Sequence, residues 1–114
     1  MESLEDRTYC FALRVIKITK ALPDDRESSH IANQLFRSGT SVAANYRASR
    51  KGKSKKDFIA KLGIVLEEAD ESHFWLSIII DTNLLPQELV EPLHKEASEL
   101  TAIFTQSIKT ARST

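Results

Sequence analysis

The stretch that decides the fold runs from residue 55 to residue 83 and reads KKDFIAKLGIVLEEADESHFWLSIIIDTN. Apolar side chains recur in it every three or four positions, which is the spacing that places residues on one face of an α-helix. This row comprises Phe58, Ile59, Leu62, Val65, Leu66, Ala69, Leu76, Ile80 and, just beyond, Leu84. The stretch therefore predicts one long helix with an apolar face.

The second half of this helix differs from the first. Up to Glu71 its back is acidic, but beyond Glu71 the residues Phe74, Trp75, Ile78 and Ile79 make it apolar nearly all round. A helix that is apolar on every face must be buried on every face, which an outer helix of a small monomeric bundle cannot achieve. We therefore expect self-association, with these four residues at the interface between subunits.

The rest of the chain shows the same periodicity. Three short polar breaks divide the 114 residues into four segments, which predict helices at about residues 4–22, 27–48, 55–83 and 87–110 of a single domain, 1–114. Only three glycines and three prolines are present, which favours long helices over a sandwich or a barrel. Short connections predict an all-α, antiparallel up-down-up-down four-helix bundle.

The helix boundaries carry their own signals. Asp25 or Ser28 can cap the second helix, and the stretch from Ser54 to Asp57 resembles a capping box for the third. Gly52 suits a left-handed turn between them. Pro92 predicts a kink or a late start in the fourth helix.

Composition narrows the class of protein. The single cysteine, Cys10, cannot form an intrachain disulfide, and the acidic start lacks the layout of a signal peptide, so we expect a cytoplasmic protein. No apolar run approaches the roughly 18 residues that would span a bilayer, so no membrane association is expected. Sixteen basic residues balance sixteen acidic ones, and only their distribution is informative.

A row of small or amide side chains lies opposite the apolar stripe of the second helix. Its members are Gln34, Ser38, Ser41 and Asn45, where charged residues would be usual on an exposed face. Such a row can cross closely over a neighbouring helix or subunit, or it can bind a ligand. We favour the close crossing.

Carboxylates precede histidines at a spacing that di-iron bundles use. The pairs are Glu27 with His30, Asp70 with His73, and Glu91 with His94. Only Asp70 and His73 approach a core face, so we expect no metal and no cofactor. His73 is better explained as a histidine at the core edge, hydrogen-bonded to Asp70 or Ser41. No nucleophile motif or phosphate-binding loop is present, and we expect no catalytic residues and no enzyme activity.

Six cations without an intervening acid form what we call the basic segment: Arg47, Arg50, Lys51, Lys53, Lys55 and Lys56. Lys55 and Lys56 fall in the first turn of a helix, where the helix dipole favours anions, and such exceptions concentrate at functional sites. The segment either contacts phosphates or is a solvated loop paired with the acidic cluster at residues 67–71. No aromatic residue interleaves it, so base-specific readout is not expected.

Three motifs resemble a known family. They are the run from Gln34 to Asn45, Asp57-Phe58-Ile59 with Lys61-Leu62, and the run from Glu67 to Ser72 leading into Trp75-Leu76. Together they resemble the small four-helix-bundle proteins first noticed in intervening sequences of bacterial 23S ribosomal RNA genes. The resemblance implies a ring-shaped homopentamer. A related accessory protein of diversity-generating retroelements is regarded as binding nucleic acid through basic patches on such a ring.

The chain departs from that family just after the motif asparagine. Many members carry an acidic residue and a glycine there, whereas this chain reads Asn45-Tyr46-Arg47-Ala48-Ser49 and is more basic. We therefore expect a homo-oligomer that binds RNA or other structured nucleic acid through the basic segment. The alternative is a protein-interaction scaffold whose lysines only keep the loop soluble.

Overall fold

The computed structural model describes residues 2–114, and within them the chain folds into four helices. These are α1 (Leu4–Ala21), α2 (Arg26–Ser49), α3 (Lys55–Asp81) and α4 (Gln87–Arg112). Each boundary lies within two residues of the one expected from periodicity. The all-α prediction is confirmed.

Side-chain caps explain where three of the helices begin. The Ser3 hydroxyl caps α1, and the Asp25 carboxylate, rather than Ser28, caps α2 by accepting the Ser28 N–H at 2.9 Å. The Ser54 hydroxyl caps α3 by accepting the Asp57 N–H at 3.1 Å. Each cap satisfies a backbone donor that has no partner within its helix.

One expectation about backbone shape is wrong, and one of the two alternatives given for Pro92 is excluded. Gly52 has no positive φ, and its small size matters instead, because a Cβ there would lie 3.1 Å from the Ser49 carbonyl oxygen. The left-handed residue is Asn83, with φ 56°, which ends α3 as the Leu84 N–H bonds to the Ile79 carbonyl. The late start predicted from Pro92 is also absent, since α4 begins at Gln87 and continues through the proline.

Neighbouring helices run antiparallel, as contacts at two levels of the bundle show. Between α2 and α3, the Ser38 and Ser72 hydroxyls bond at 2.9 Å, while the earlier His30 lies against the later Trp75 with ring centroids 5.9 Å apart. The order of contacts is likewise reversed between α1 and α2 (Glu5 with Arg50, Val15 with Gly39) and between α3 and α4 (Lys55 with Thr114, Ser77 with His94).

All four helices contribute to one apolar core. Its fully buried members include Phe11, Val15, Leu35, Val42, Leu62, Val65, Leu76, Val90, Leu100 and Phe104. These residues belong mainly to the predicted stripes, so the periodicity identified the core face of each helix. The Ser38–Ser72 bond is buried beside it, so the small-residue row of α2 contacts α3 closely at Ser38.

Candidate nucleic-acid interface

The basic segment occupies one end of the bundle, from the last turn of α2 through the connecting loop to the first turn of α3. All six of its residues are exposed. The loop is held by backbone bonds, including the Gly52 N–H to the Ser49 carbonyl at 3.1 Å. The Asp57 carboxylate adds to this by accepting the Lys53 N–H at 3.1 Å and the Lys61 ammonium at 2.8 Å. The cations therefore project from two helix ends and from the hydrogen-bonded loop between them.

Asp57 remains ionised over a wide pH range in this arrangement. The hydrogen bond from Lys61 lowers the pKa of the Asp57 carboxyl below its ordinary value of 3.8, and the backbone N–H of Lys53 acts in the same direction. Both bonds stabilise the charged form. Because the folded pKa is depressed, this stabilisation is present above pH 4 and is lost as acid protonates the carboxylate.

Few carboxylates neutralise the basic segment. Within residues 2–114, the only ion pair of the basic segment joins Arg50 to Glu5, with 3.5 Å between Nη1 and Oε1. The Lys55 ammonium donates instead to the Thr114 carbonyl. The remaining four members, Arg47, Lys51, Lys53 and Lys56, have no carboxylate of the described chain within ion-pair distance.

The acidic cluster downstream has a different partner. Glu68 and Glu71 of α3 bind the Arg37 guanidinium of α2 at 3.0 and 2.6 Å, and Glu71 also accepts the Trp75 indole N–H at 3.2 Å. These bonds raise the pKa of Arg37 above its ordinary value, with Glu71 the largest cause. Glu68 and Glu71 therefore do not pair with the basic segment, whereas the exposure of all six of its cations agrees with a solvated loop.

Folding brings further charges to the same end. The last turn of α4 carries Lys109 and Arg112, and the contact of Lys55 with Thr114 places that turn beside the start of α3. The first turn of α1 adds the acids Glu5 and Asp6. The α4 cations lie about fifty positions from the basic segment along the chain, so no local pattern in the sequence indicated them.

An open depression lies at this end of the bundle, and we call it the basic-end hollow. Half-buried side chains of all four helices line it, namely Leu4, Tyr46, Phe58 and Ile103. Arg50 and Lys55 of the basic segment also border it. No aromatic residue lies within the basic segment, but Tyr46 and Phe58 flank it in the sequence, and folding brings both to the same hollow.

The four predicted interface residues of α3 separate in the structure. Phe74 is 53% exposed, and Trp75 and Ile78 are half-buried next to His30 and Ile31 of α2. Ile79 is fully buried in the core of its own subunit, and its assignment to the interface is corrected. The α3 helix rotates by about 100° per residue, which turns Ile79 inward while Ile78 faces outward.

A second exposed apolar surface lies on α1 and α2, where sequence reasoning predicted none. Tyr9 and Leu13 of α1 are 61% and 50% exposed, and Phe36 of α2 is 48% exposed. All three stand within two positions of a buried residue of their own helix, namely Phe11, Ala12 or Leu35. The stripes are wider than the core can cover, so their margins remain on the surface.

Similarity to known proteins agrees with this architecture. The family model of the 23S rRNA-intervening sequence protein matches residues 5–106, which is most of the chain. The chain belongs to this family. The resemblance drawn from the three motifs is thereby confirmed.

One solved structure related to this 23S rRNA-intervening sequence protein is that of a protein of unknown function from the S23 ribosomal protein family of Bacteroides thetaiotaomicron VPI-5482. It is 33% identical, with a TM-score of 0.87, over 94% of this chain and 99% of that chain. Among curated proteins, none matches the chain. Neither the family nor the solved structure indicates an enzyme.

The motif that carries the resemblance to 23S rRNA-intervening sequence proteins has a packing role here. Leu35, Ser38, Gly39 and Val42 of the motif are all buried. A Cβ on Gly39 would lie 2.6 Å from both γ-methyl groups of Val15, so the glycine lets α1 and α2 approach. The departure just after the motif places Arg47 on the surface.

Within the described residues, none of the three histidines forms an ion pair with the acid three positions before it. His73 of α3 stacks on His94 of α4, with ring centroids 4.1 Å apart, and within residues 2–114 no hydrogen bond joins its ring to Asp70 or Ser41. His94 also bonds to the Ser77 hydroxyl at 2.9 Å. Burial lowers the pKa of His94, and the neighbouring His73 adds to the effect. Within residues 2–114, no three His, Cys, Asp or Glu residues are placed to hold a metal ion.

Two further features concern the length of the apolar helices and the environment of Cys10. Within the part of the chain that the structure describes, no helix is both long and apolar enough to span a membrane. The Cys10 thiol is exposed and lies 3.6 Å from the Glu2 carboxylate. Partial desolvation and that carboxylate raise the pKa of Cys10, which disfavours the reactive thiolate.

Proposed function

We propose that this protein is a non-enzymatic homo-oligomer that binds RNA or other structured nucleic acid by contacting phosphates through its basic segment. The observation that carries the proposal is that, within residues 2–114, Arg47, Lys51, Lys53 and Lys56 are exposed and have no carboxylate within ion-pair distance. Two acids of the downstream cluster, Glu68 and Glu71, are bound to Arg37 instead. Cations without acidic partners can contact phosphates directly, which releases the counterions condensed on the nucleic acid and favours binding.

The helix termini support the same ligand. Lys55 and Lys56 stand in the first turn of α3, where the dipole and free backbone N–H groups favour an anion. In the free protein, the helix dipole makes two lysines in this turn unfavourable. A bound phosphate would be attracted both by the lysines and by the helix N-terminus. Arg47 stands in the last turn of α2, where a cation is favoured.

Self-association completes the proposal. Phe74, Trp75 and Ile78 supply apolar surface for a contact between subunits, and the family resemblance suggests a homopentameric ring. A ring would present several basic segments to one nucleic acid, so that weak contacts combine through high effective concentration. Weak patches would then suffice for useful affinity.

Binding measured across a salt series tests the proposal. With all six cations on phosphates, the slope of log K against log salt should be about −4 to −5, at roughly 0.7 to 0.9 per phosphate. Changing Lys51, Lys53 and Lys56 to Glu should weaken binding and make the slope less steep, reducing its magnitude by at least about 2. The matched control changes Lys17, Lys20 and Lys95, which are exposed and away from the basic end, to Glu.

The control variant has the same net charge as the test variant but keeps the basic segment intact. It should therefore retain much more of the affinity. Affinity that ignores salt, or equal losses in the two variants, would contradict the proposal. The alternative, a protein-interaction scaffold, is favoured by the exposed Tyr9, Leu13 and Phe36. Capture of a protein partner that survives nuclease treatment and depends on Leu13 would favour that alternative.

A further inference from the structure

The basic-end hollow combines features that no single helix carries. It opens where α1 and α3 begin and where α2 and α4 end. Tyr46 of α2 packs against the buried Phe104, with ring centroids 5.5 Å apart, and also lines the hollow. Phe58 of α3 lines it as well, and both rings are half-buried. Some aromatic surface is therefore accessible from solvent at the basic end of the bundle.

Charge and hydrogen-bonding groups surround this aromatic surface. Arg50 and Lys55 border the hollow and belong to the basic segment. Gln106 and Thr110 of α4 add polar groups at its edge, where the Gln106 amide donates to the Thr110 hydroxyl at 3.3 Å. A ligand that suits the hollow thus has a flat, partly apolar ring and an attached anion.

We propose that the hollow receives an unpaired nucleobase of an RNA strand, with the adjoining phosphate on Arg50 and Lys55. The inference rests on the proposed function and names the feature of the nucleic acid that this site recognises. Bases within a duplex are stacked and paired, whereas unpaired bases can turn outward and stack on protein aromatic rings. The protein therefore prefers RNA with bulges or single-stranded ends over a blunt duplex.

Fluorescence anisotropy with two RNA probes tests the preference. One probe is a blunt duplex, and the other is the same duplex with a bulge of unpaired bases that contains 2-aminopurine. Stacking of one base is worth about 1–3 kcal/mol, so the bulged probe should bind at least about fivefold tighter. The 2-aminopurine fluorescence should fall on binding to the wild-type protein, as the base stacks.

Leucine variants locate the site. Tyr46→Leu and Phe58→Leu keep apolar volume against the core and remove the rings, so each should reduce the preference for the bulged probe. Phe36→Leu removes an exposed aromatic ring of α2 that does not line the hollow, and it should keep the preference. Thermal melting of each variant confirms that it is folded.

The outcomes separate this inference from the proposed function. If the wild-type protein bound both probes equally, with a steep salt dependence, the proposal that the hollow receives a base would be overturned. Phosphate binding by the basic segment would be unaffected. Salt-independent binding would instead contradict the proposed function. Equal losses on both probes in the folded leucine variants would show that the rings only support the loop, and unchanged 2-aminopurine fluorescence in the wild type would also overturn the inference.

Discussion

At the scale of single residues, two glycines inside helices have opposite surroundings. Gly39 faces Val15 so closely that a Cβ would lie 2.6 Å from its methyl groups. Gly63, in the middle of α3, has no atom within 4 Å of the position its Cβ would take. The first glycine is required by packing, whereas the second only lowers helix propensity.

Substituting each glycine by alanine should therefore give opposite results. Gly39→Ala forces α1 and α2 apart and should destabilise the fold by about 1–3 kcal/mol, the usual range for overpacking. Gly63→Ala should stabilise it by about 0.5–1 kcal/mol, because alanine restricts the unfolded chain and favours the helix. Urea denaturation at one protein concentration measures both, and a stable Gly39→Ala protein would contradict the packing argument.

At the scale of elements, the groove between α3 and α4 contains a pair of stacked histidines. His73 and His94 contribute one ring each, and Ser77 of α3 holds the His94 ring. Burial between the two helices, with His73 close by, disfavours the charged form of the His94 ring. Asp81 and Glu91 act in the opposite direction on His94, but less strongly.

The pH dependence of stability should reveal this pair. Folding lowers the pKa of His94 below its ordinary value of 6.5, mainly through burial. The unfolded chain therefore binds the proton more readily, so stability is full above about pH 6.5 and decreases as the pH falls towards the folded pKa. His94→Gln should flatten the free energy of unfolding between pH 7 and pH 5. Parallel curves for the two proteins would contradict the assignment.

At the scale of the whole molecule, the outer face of α3 carries apolar side chains that the bundle does not cover. Phe74 is more than half exposed, and Trp75 and Ile78 are half-buried beside it. Several large apolar residues on the surface of a protein of this size are typical of a site of association. The family resemblance suggests that the partner is a second copy of the chain.

Sedimentation equilibrium tests the assembly. We expect the wild-type protein to have several times the mass of one chain, and Phe74→Glu to shift it towards the monomer by placing a charge in the contact. Gln87→Glu is the matched control, since it adds the same charge at an exposed position at the start of α4. A monomeric wild-type protein would remove self-association from the proposed function.

Helix bounds, core faces and the basic segment follow from the residues alone, because capping and periodicity act within a few positions along the chain. The capping of α3 by Ser54 and the burial of Leu62, Val65 and Leu76 show this. Local rules also located the cations of the basic segment. They could not tell which groups neutralise these cations, since a charge pairs with whatever lies nearest in space.

Which charges pair with each other and which apolar side chains are buried depended on how the helices pack. Arg37 binds Glu68 and Glu71 across a helix interface, and Ile79 is buried by neighbours on other helices while Ile78 is left partly exposed. The basic-end hollow, with Tyr46 and Phe58, exists only where four helix ends meet. A helical repeat specifies the direction in which each side chain points, whereas the groups it meets are specified by the three-dimensional arrangement of the other helices.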